Sequence, residues 1–222
     1  RRPLRDYGPK DWVDVITTNP PFGGMEEDGI EGGFPSEFRT RETADLFLVL
    51  VMELLKPKGR AAIVLPDGTL FGEGIKTRIK EKLLKECNLH TIVRLPNGVF
   101  NPYTSIRTNV LFFDKGEPTE AVWYYEHPYP QGYKSYSKTK PMKIKEFAPE
   151  KKWWNKREES EQAWRVPVEE IVANGYNLDI KNPNVPAFEH RDPLVLLKEY
   201  RAAANEASKA SEALKESLMA AL

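Results

Sequence analysis

Hydrophobic and polar positions alternate between two periods along this chain, and the changes of period mark its elements. Trp12-Val13-Asp14-Val15-Ile16-Thr17 is a short apolar run and predicts a strand over 12–17. Over 43–56 the residues Leu46, Leu50, Val51 and Leu54 recur every three or four positions, which predicts a helix stopped by Pro57 and Gly59. Residues 60–65 (Arg-Ala-Ala-Ile-Val-Leu) are apolar on both faces, as in a buried parallel strand, and Pro66-Asp67-Gly68 reads as the turn that ends it. Helical spacing returns over 75–87, with Ile75, Ile79, Leu83 and Leu84 on the apolar side. Two more strands follow, 89–95 and 107–113, ended by Pro96-Asn97-Gly98 and Asp114-Lys115-Gly116, and 121–125 adds a short fifth.

This order of strands and helices implies parallel strands joined by crossovers. No helix fits between 95 and 107, so the 107–113 strand is expected to run antiparallel. The predicted class is α/β, a mostly parallel sheet with one antiparallel strand. Residues 23–33, rich in glycine and acids, read as a mobile loop, and from about 115 to 165 the pattern dissolves into an irregular, basic stretch. Leu-Asp-Ile-Lys-Asn-Pro-Asn-Val-Pro (178–186) closes the globular part. Asp192-Pro193 is an N-cap and N1 pair opening one long helix to residue 222. Its residues Leu197, Tyr200, Ala204, Ala207, Ser211, Leu214, Leu218 and Ala221 trace a seam with small residues in the middle. About 30 residues make a helix about 45 Å long, which projects past a small domain and calls for a partner helix rather than a frayed tail.

Composition narrows the partners. The 222 residues carry 33 basic and 33 acidic side chains, so any basic surface must be local. Within 134–157 nine Lys/Arg stand against two Glu, interleaved with Tyr133, Tyr136, Trp153 and Trp154. Lys134, Lys138, Lys140, Lys143 and Lys145 are candidates for contacts with a nucleic-acid backbone, against the alternative of a solvated loop. One cysteine, Cys87, rules out an internal disulfide and fits a reducing cytoplasm. His90, His127 and His190 show no metal-ligand spacing, and no apolar stretch is long enough to span a membrane. The chain opens on Arg1-Arg2-Pro3 without an initiator Met, and is expected to be a fragment or a processed product.

Thr18-Asn19-Pro20-Pro21-Phe22, directly after the first strand, carries the candidate chemistry. Two prolines fix the backbone and remove two donors. Asn19 keeps an acceptor and two donors, the prolines offer carbonyls only, and Phe22 offers a flat ring. Acceptors beside an aromatic face suit a planar heterocycle bearing an amine. A stiff turn with Phe22 in the core is the plainer reading of these residues alone.

Several segments in order turn this into a resemblance: Asp14 to Gly23, Gly59 to Gly68, Leu95-Pro96-Asn97-Gly98-Val99-Phe100, Tyr103-Thr104, Thr108 to Leu111 and Gly175-Tyr176-Asn177-Leu178. Together they resemble the C-terminal half of the modification subunit of type I restriction–modification systems, an adenine-specific DNA methyltransferase. The resemblance implies a partial Rossmann-like methyltransferase sheet with a long C-terminal helix, residues 1–186 belonging to the catalytic domain and 187–222 to subunit assembly. It implies that a flipped adenine amine receives a methyl from S-adenosylmethionine, without metal or covalent intermediate. Asn19, Pro20, Pro21 and Phe22 would be catalytic. Phe22 would stack on the base, with Phe100 or Tyr103 closing the pocket or, equally, lying in the core. Implied partners are double-stranded DNA, a specificity subunit, a second modification subunit and, in the full complex, a restriction subunit.

The family's cofactor loop lies upstream of the Asn-Pro-Pro-Phe run, and only eighteen residues precede Asn19 here. The chain alone is therefore expected neither to bind the cofactor nor to methylate DNA. The edge of its first strand is expected to be uncovered and open to self-association. An RNA or protein amino-methyltransferase and a non-catalytic assembly module remain the alternative readings.

Overall fold

The computed structural model describes residues 3–184 and 192–221, which form two compact units. The first holds a six-stranded sheet in the order β1-β2-β4-β3-β5-β6. Its strands are β1 (Val13–Thr18), β2 (Leu55–Pro66), β3 (Cys87–Arg94), β4 (Thr108–Lys115), β5 (Ala121–Glu126) and β6 (Ala163–Pro167). β1 and β2 pair in parallel, as do β3 and β5, while β4 slots between β2 and β3 antiparallel to both. β4 is the expected antiparallel strand. β6 is a second one, lying against β5.

Helices α1 (Thr43–Leu54) and α3 (Ile75–Glu86) cover one face of the sheet. α1 buries Leu46, Leu48, Val49, Val51 and Met52, a wider arc than the expected stripe, because it packs against both the sheet and α3. Leu50 and Leu54, predicted for that stripe, are half-buried. The turn expected at Pro66-Asp67-Gly68 is instead the start of the short helix α2 (Asp67–Phe71).

The stretch expected to be irregular contains helix α4 (Ala148–Asn155) and the start of β6, and helix α5 (Val168–Ala173) follows just beyond it. Apolar burial accounts for it. Trp164 stacks on Tyr124, with centroids 5.2 Å apart and planes 9° apart, and Ile171 and Val166 join the main core. Trp153 and Trp154 are core-facing rather than displayed with the lysines. Trp153 packs on Tyr125 at 5.0 Å and Trp154 on Phe112 at 4.8 Å, and Arg157 lies over both indoles.

β1 forms one edge of the sheet, and its Val13 and Val15 are 41% and 51% exposed. The second unit consists of α6 (Pro193–Ala221) in its described residues. Asp192 caps it, its carboxylate accepting from the Leu194 amide at 2.8 Å. Leu197, Tyr200, Leu214 and Leu218 are exposed along it. The domain boundary expected at 186/187 lies outside the described residues, as does the end of the 178–186 segment.

Among the described residues no helix is long and apolar enough to cross a membrane, and no His/Cys/Asp/Glu group is arranged to hold a metal.

Candidate active site

Four strands run the same way, so their C-terminal ends share one rim. Asn19 leaves β1 there, Asp67 leaves β2, the 95–107 loop leaves β3, and the basic segment after 126 leaves β5. The Asp67 amide donates to the Arg107 carbonyl at 3.0 Å, and the His127 amide to the Arg94 carbonyl at 3.0 Å, stitching the exits together. In open α/β sheets this is the rim where ligands bind.

At the rim Asn19 is exposed, Pro20 buried, Pro21 exposed and Phe22 half-buried. Among the described residues nothing hydrogen-bonds the Asn19 side-chain amide, on an exposed residue, or the Pro20 carbonyl, on a buried one. Gly23 follows with φ +65°, a conformation that favours glycine, and Ile106 lies 3.8 Å from the position a Cβ would take there.

The loop beyond is not loose. Gly24's carbonyl accepts from both the Thr43 amide (3.1 Å) and the Thr43 hydroxyl (3.0 Å). The Arg41 guanidinium donates twice to the Glu26 carbonyl, at 3.2 and 3.1 Å, and pairs with Asp28 at 2.9 Å. A β-bridge between Met25 and Glu42 completes the attachment to the start of α1. The acids and glycines of 23–33 thus anchor a loop that sequence alone presented as mobile.

Phe100 is brought to the motif and Tyr103 is not. The Phe22 and Phe100 rings meet edge to face, with centroids 5.0 Å and planes 74° apart. Tyr103 is 91% exposed. Lys134, Lys138, Lys140, Lys143 and Lys145 are all exposed on the segment leaving β5, and Lys140 lies 5.4 Å from the Tyr133 ring.

Three polar residues supporting the rim escaped the pattern. Asn109, buried in β4, donates to Asp67 at 2.6 Å. Its signal was an amide within an otherwise apolar strand. Asp45, buried in α1, accepts from Thr69 at 3.0 Å and from Lys76 at 2.5 Å, and Lys76 also reaches Glu42. Burial raises Asp45 above the usual carboxylate range, only partly offset by Lys76 and Thr69. Burial pulls Lys76 down, but its bonds to Asp45 and Glu42 leave it above an ordinary lysine. Lys80, 1% exposed, donates to the carbonyls of Leu70 (2.7 Å) and Gly72 (2.8 Å), and burial lowers it to about 8. Cys87 is fully buried and its thiol is pushed up to about 12, so it is no nucleophile.

A cavity of about 670 Å³ adjoins Pro21, lined chiefly by Leu4, Tyr7, Ile30, Phe34, Phe47 and Leu50. At this rim the described residues bring together the Asn19 side-chain amide, the Pro20 carbonyl and the Phe22–Phe100 ring pair. After the motif, the carbonyls of Gly24 and Glu26 and the carboxylate of Asp28 are engaged by Thr43 and Arg41.

Comparison with known proteins gives the chain its family. Over 217 residues the chain is 61% identical to the type I restriction enzyme EcoEI methylase subunit of Escherichia coli, covering 95% of this chain and 44% of that protein. Its fold is similar to a modification subunit assigned to a type I restriction enzyme of Vibrio vulnificus YJ016, with TM-score 0.80 and 53% identity over 86% of this chain and 42% of that one. A chain solved in work on complex assembly and conformational transition of the type I restriction–modification system gives TM-score 0.77 and 36% identity, over 97% of this chain and 47% of the other. The chain spans less than half the length of each of these proteins. Residues 5–192 match the N-6 DNA methylase family, and the chain belongs to that family.

Proposed function

We propose that this chain is the target-base half of an adenine-specific DNA methyltransferase, a modification subunit of a type I restriction–modification complex. One observation carries the reading. In an N-6 DNA methylase chain, the free Asn19 amide and Pro20 carbonyl stand beside an aromatic pair at the ligand-binding rim.

An adenine amine is paired inside a duplex, so it must be flipped out to react. The Asn19 side-chain oxygen and the Pro20 carbonyl accept its two hydrogens and orient the nitrogen lone pair outward. As the nitrogen gains positive charge, these fixed acceptors stabilise it, and positioning supplies the rest of the catalysis. Phe22 stacks on the base, and Phe100 closes the pocket. S-adenosylmethionine, when bound, supplies the methyl group. Lys134, Lys138, Lys140, Lys143 and Lys145 lie along the DNA backbone.

The exposed apolar seam of α6 is the docking element for a specificity subunit, with a second modification subunit and, in the full complex, a restriction subunit completing the assembly. The bare edge of β1 is where self-association would occur. The same Asn-Pro-Pro-Phe chemistry would serve an RNA or protein amine, but the five exposed lysines at the same rim favour a polyanionic duplex.

Mass spectrometry of nucleosides from DNA treated with the full-length subunit, its partners and S-adenosylmethionine tests the reading. N6-methyladenine is expected. Methylation of RNA or protein glutamine instead would overturn it.

A further inference from the structure

The ring that closes the motif is held from outside its own loop. The Asn101 side chain, next to Phe100, donates to the Tyr136 carbonyl at 3.0 Å, 35 residues away. Tyr129, from the same basic segment, donates its hydroxyl to the Asn97 carbonyl at 3.0 Å. Gly98 sits so close that a Cβ would lie 2.4 Å from Ser135 Oγ and 2.8 Å from the Tyr136 carbonyl, and its φ is +81°. Tyr136 itself is 1% exposed, and its hydroxyl donates to Glu146 at 2.5 Å. Tyr129 and Tyr133 pack on its ring at 5.7 and 5.8 Å. The Phe100 loop and the lysine-bearing segment are thus one hydrogen-bonded, close-packed body.

That body touches Phe22 through Phe100. A base sandwiched between two rings needs them about 7 Å apart, twice a carbon–carbon contact. The 5.0 Å edge contact leaves no such slot, so admitting a base means moving Phe100, and with it the segment that carries Lys134 to Lys145.

We infer that Asn101 is a positioning residue: through the Tyr136 carbonyl it sets where Phe100 stands relative to Phe22, and so couples contacts of the basic segment to the aromatic pocket. This rests on the function proposed above. The first readout is structural and independent of it, namely nuclear Overhauser contacts between the Phe22 and Phe100 rings in this chain. They are expected in the wild type, and lost in Asn101→Ala while the thermal transition is kept. Asn101→Ser, whose hydroxyl is too short to reach the carbonyl, serves if the alanine variant does not fold.

The second readout is kinetic, in the full-length subunit with its partners. Asn101→Ala is expected to lower kcat about tenfold with KM for DNA within twofold, because backbone docking survives while the pocket is misplaced. Ring contacts that persist in a folded Asn101 variant, or that are missing in the wild type, would overturn the inference. A wild-type assembly that transfers no methyl group to adenine would instead overturn the functional reading.

Discussion

Thr43 holds Gly24 twice: its backbone amide and its hydroxyl both donate to the Gly24 carbonyl, at 3.1 and 3.0 Å. The first residue of α1 therefore fixes the chain two residues after Phe22. Thr43→Val keeps the shape and the amide bond but removes the hydroxyl donor. It is expected to cost about 1 kcal/mol in a urea unfolding curve. Because the loss falls on the motif loop, methyl transfer by the full-length assembly should drop severalfold at temperatures where the variant remains folded.

In the proposed reaction Phe22 is the ring that stacks on a flipped base, and stacking of that kind is worth about 1–3 kcal/mol. Phe22→Ala should lower kcat/KM for methyl transfer by roughly 5- to 150-fold at that value. Phe22→Trp should keep most of the activity. Equal loss in both variants would argue that Phe22 matters as core rather than as a stacking face.

Lys80 gives a pH dependence with a definite sign. Burial holds it at about 8 in the folded chain against 10.5 for an ordinary lysine. Between those values the unfolded chain binds the proton and the folded chain does not, so this group makes stability rise with pH across that window. Below about pH 8 both states are protonated and the contribution is flat. Lys80→Met removes the titration, so wild-type stability relative to Lys80→Met should climb between pH 8 and 10, read from urea midpoints. A difference that stays constant or shrinks would contradict this.

Leu214 and Leu218 stand 62% and 56% exposed on α6. Leu214→Lys and Leu218→Lys should weaken co-purification with the specificity subunit while leaving the thermal transition of residues 3–184 unchanged. Assembly that survives both changes would remove α6 from the docking role.

Much of this molecule was legible in its sequence, and the parts that were not share a cause. β2, β3 and β4 were readable because strands in the middle of a sheet are apolar runs bounded by Pro, Gly and Asn, and β1, although it forms an edge, because its short apolar run stops at two prolines. The antiparallel course of β4 followed from the short connection before it, which no helix could fill. β6 was hidden because Ala-Trp-Arg-Val-Pro is short, and its role rests on Trp164 finding Tyr124. Lys80 was not singled out in α3, where apolar spacing marked only Ile75, Ile79, Leu83 and Leu84, yet its amine is buried and satisfied by two carbonyls of a neighbouring turn. Asn19 to Phe22 and Phe100 were visible as chemistry. Their meeting at one rim depended on strand direction, and the Asn101–Tyr136 bond on two loops brought together by the ends of β3 and β5.

Asn19 bears the central claim, and its replacement tests it most directly. In the full-length subunit with its partners, transfer of labelled methyl from S-adenosylmethionine to duplex DNA should fall about 10²- to 10³-fold in Asn19→Ala, the usual loss for one preorganised hydrogen-bond partner of a transition state. DNA affinity at fixed salt should stay within a few fold of wild type. Retained methyl transfer in Asn19→Ala, with normal DNA binding, would contradict the account.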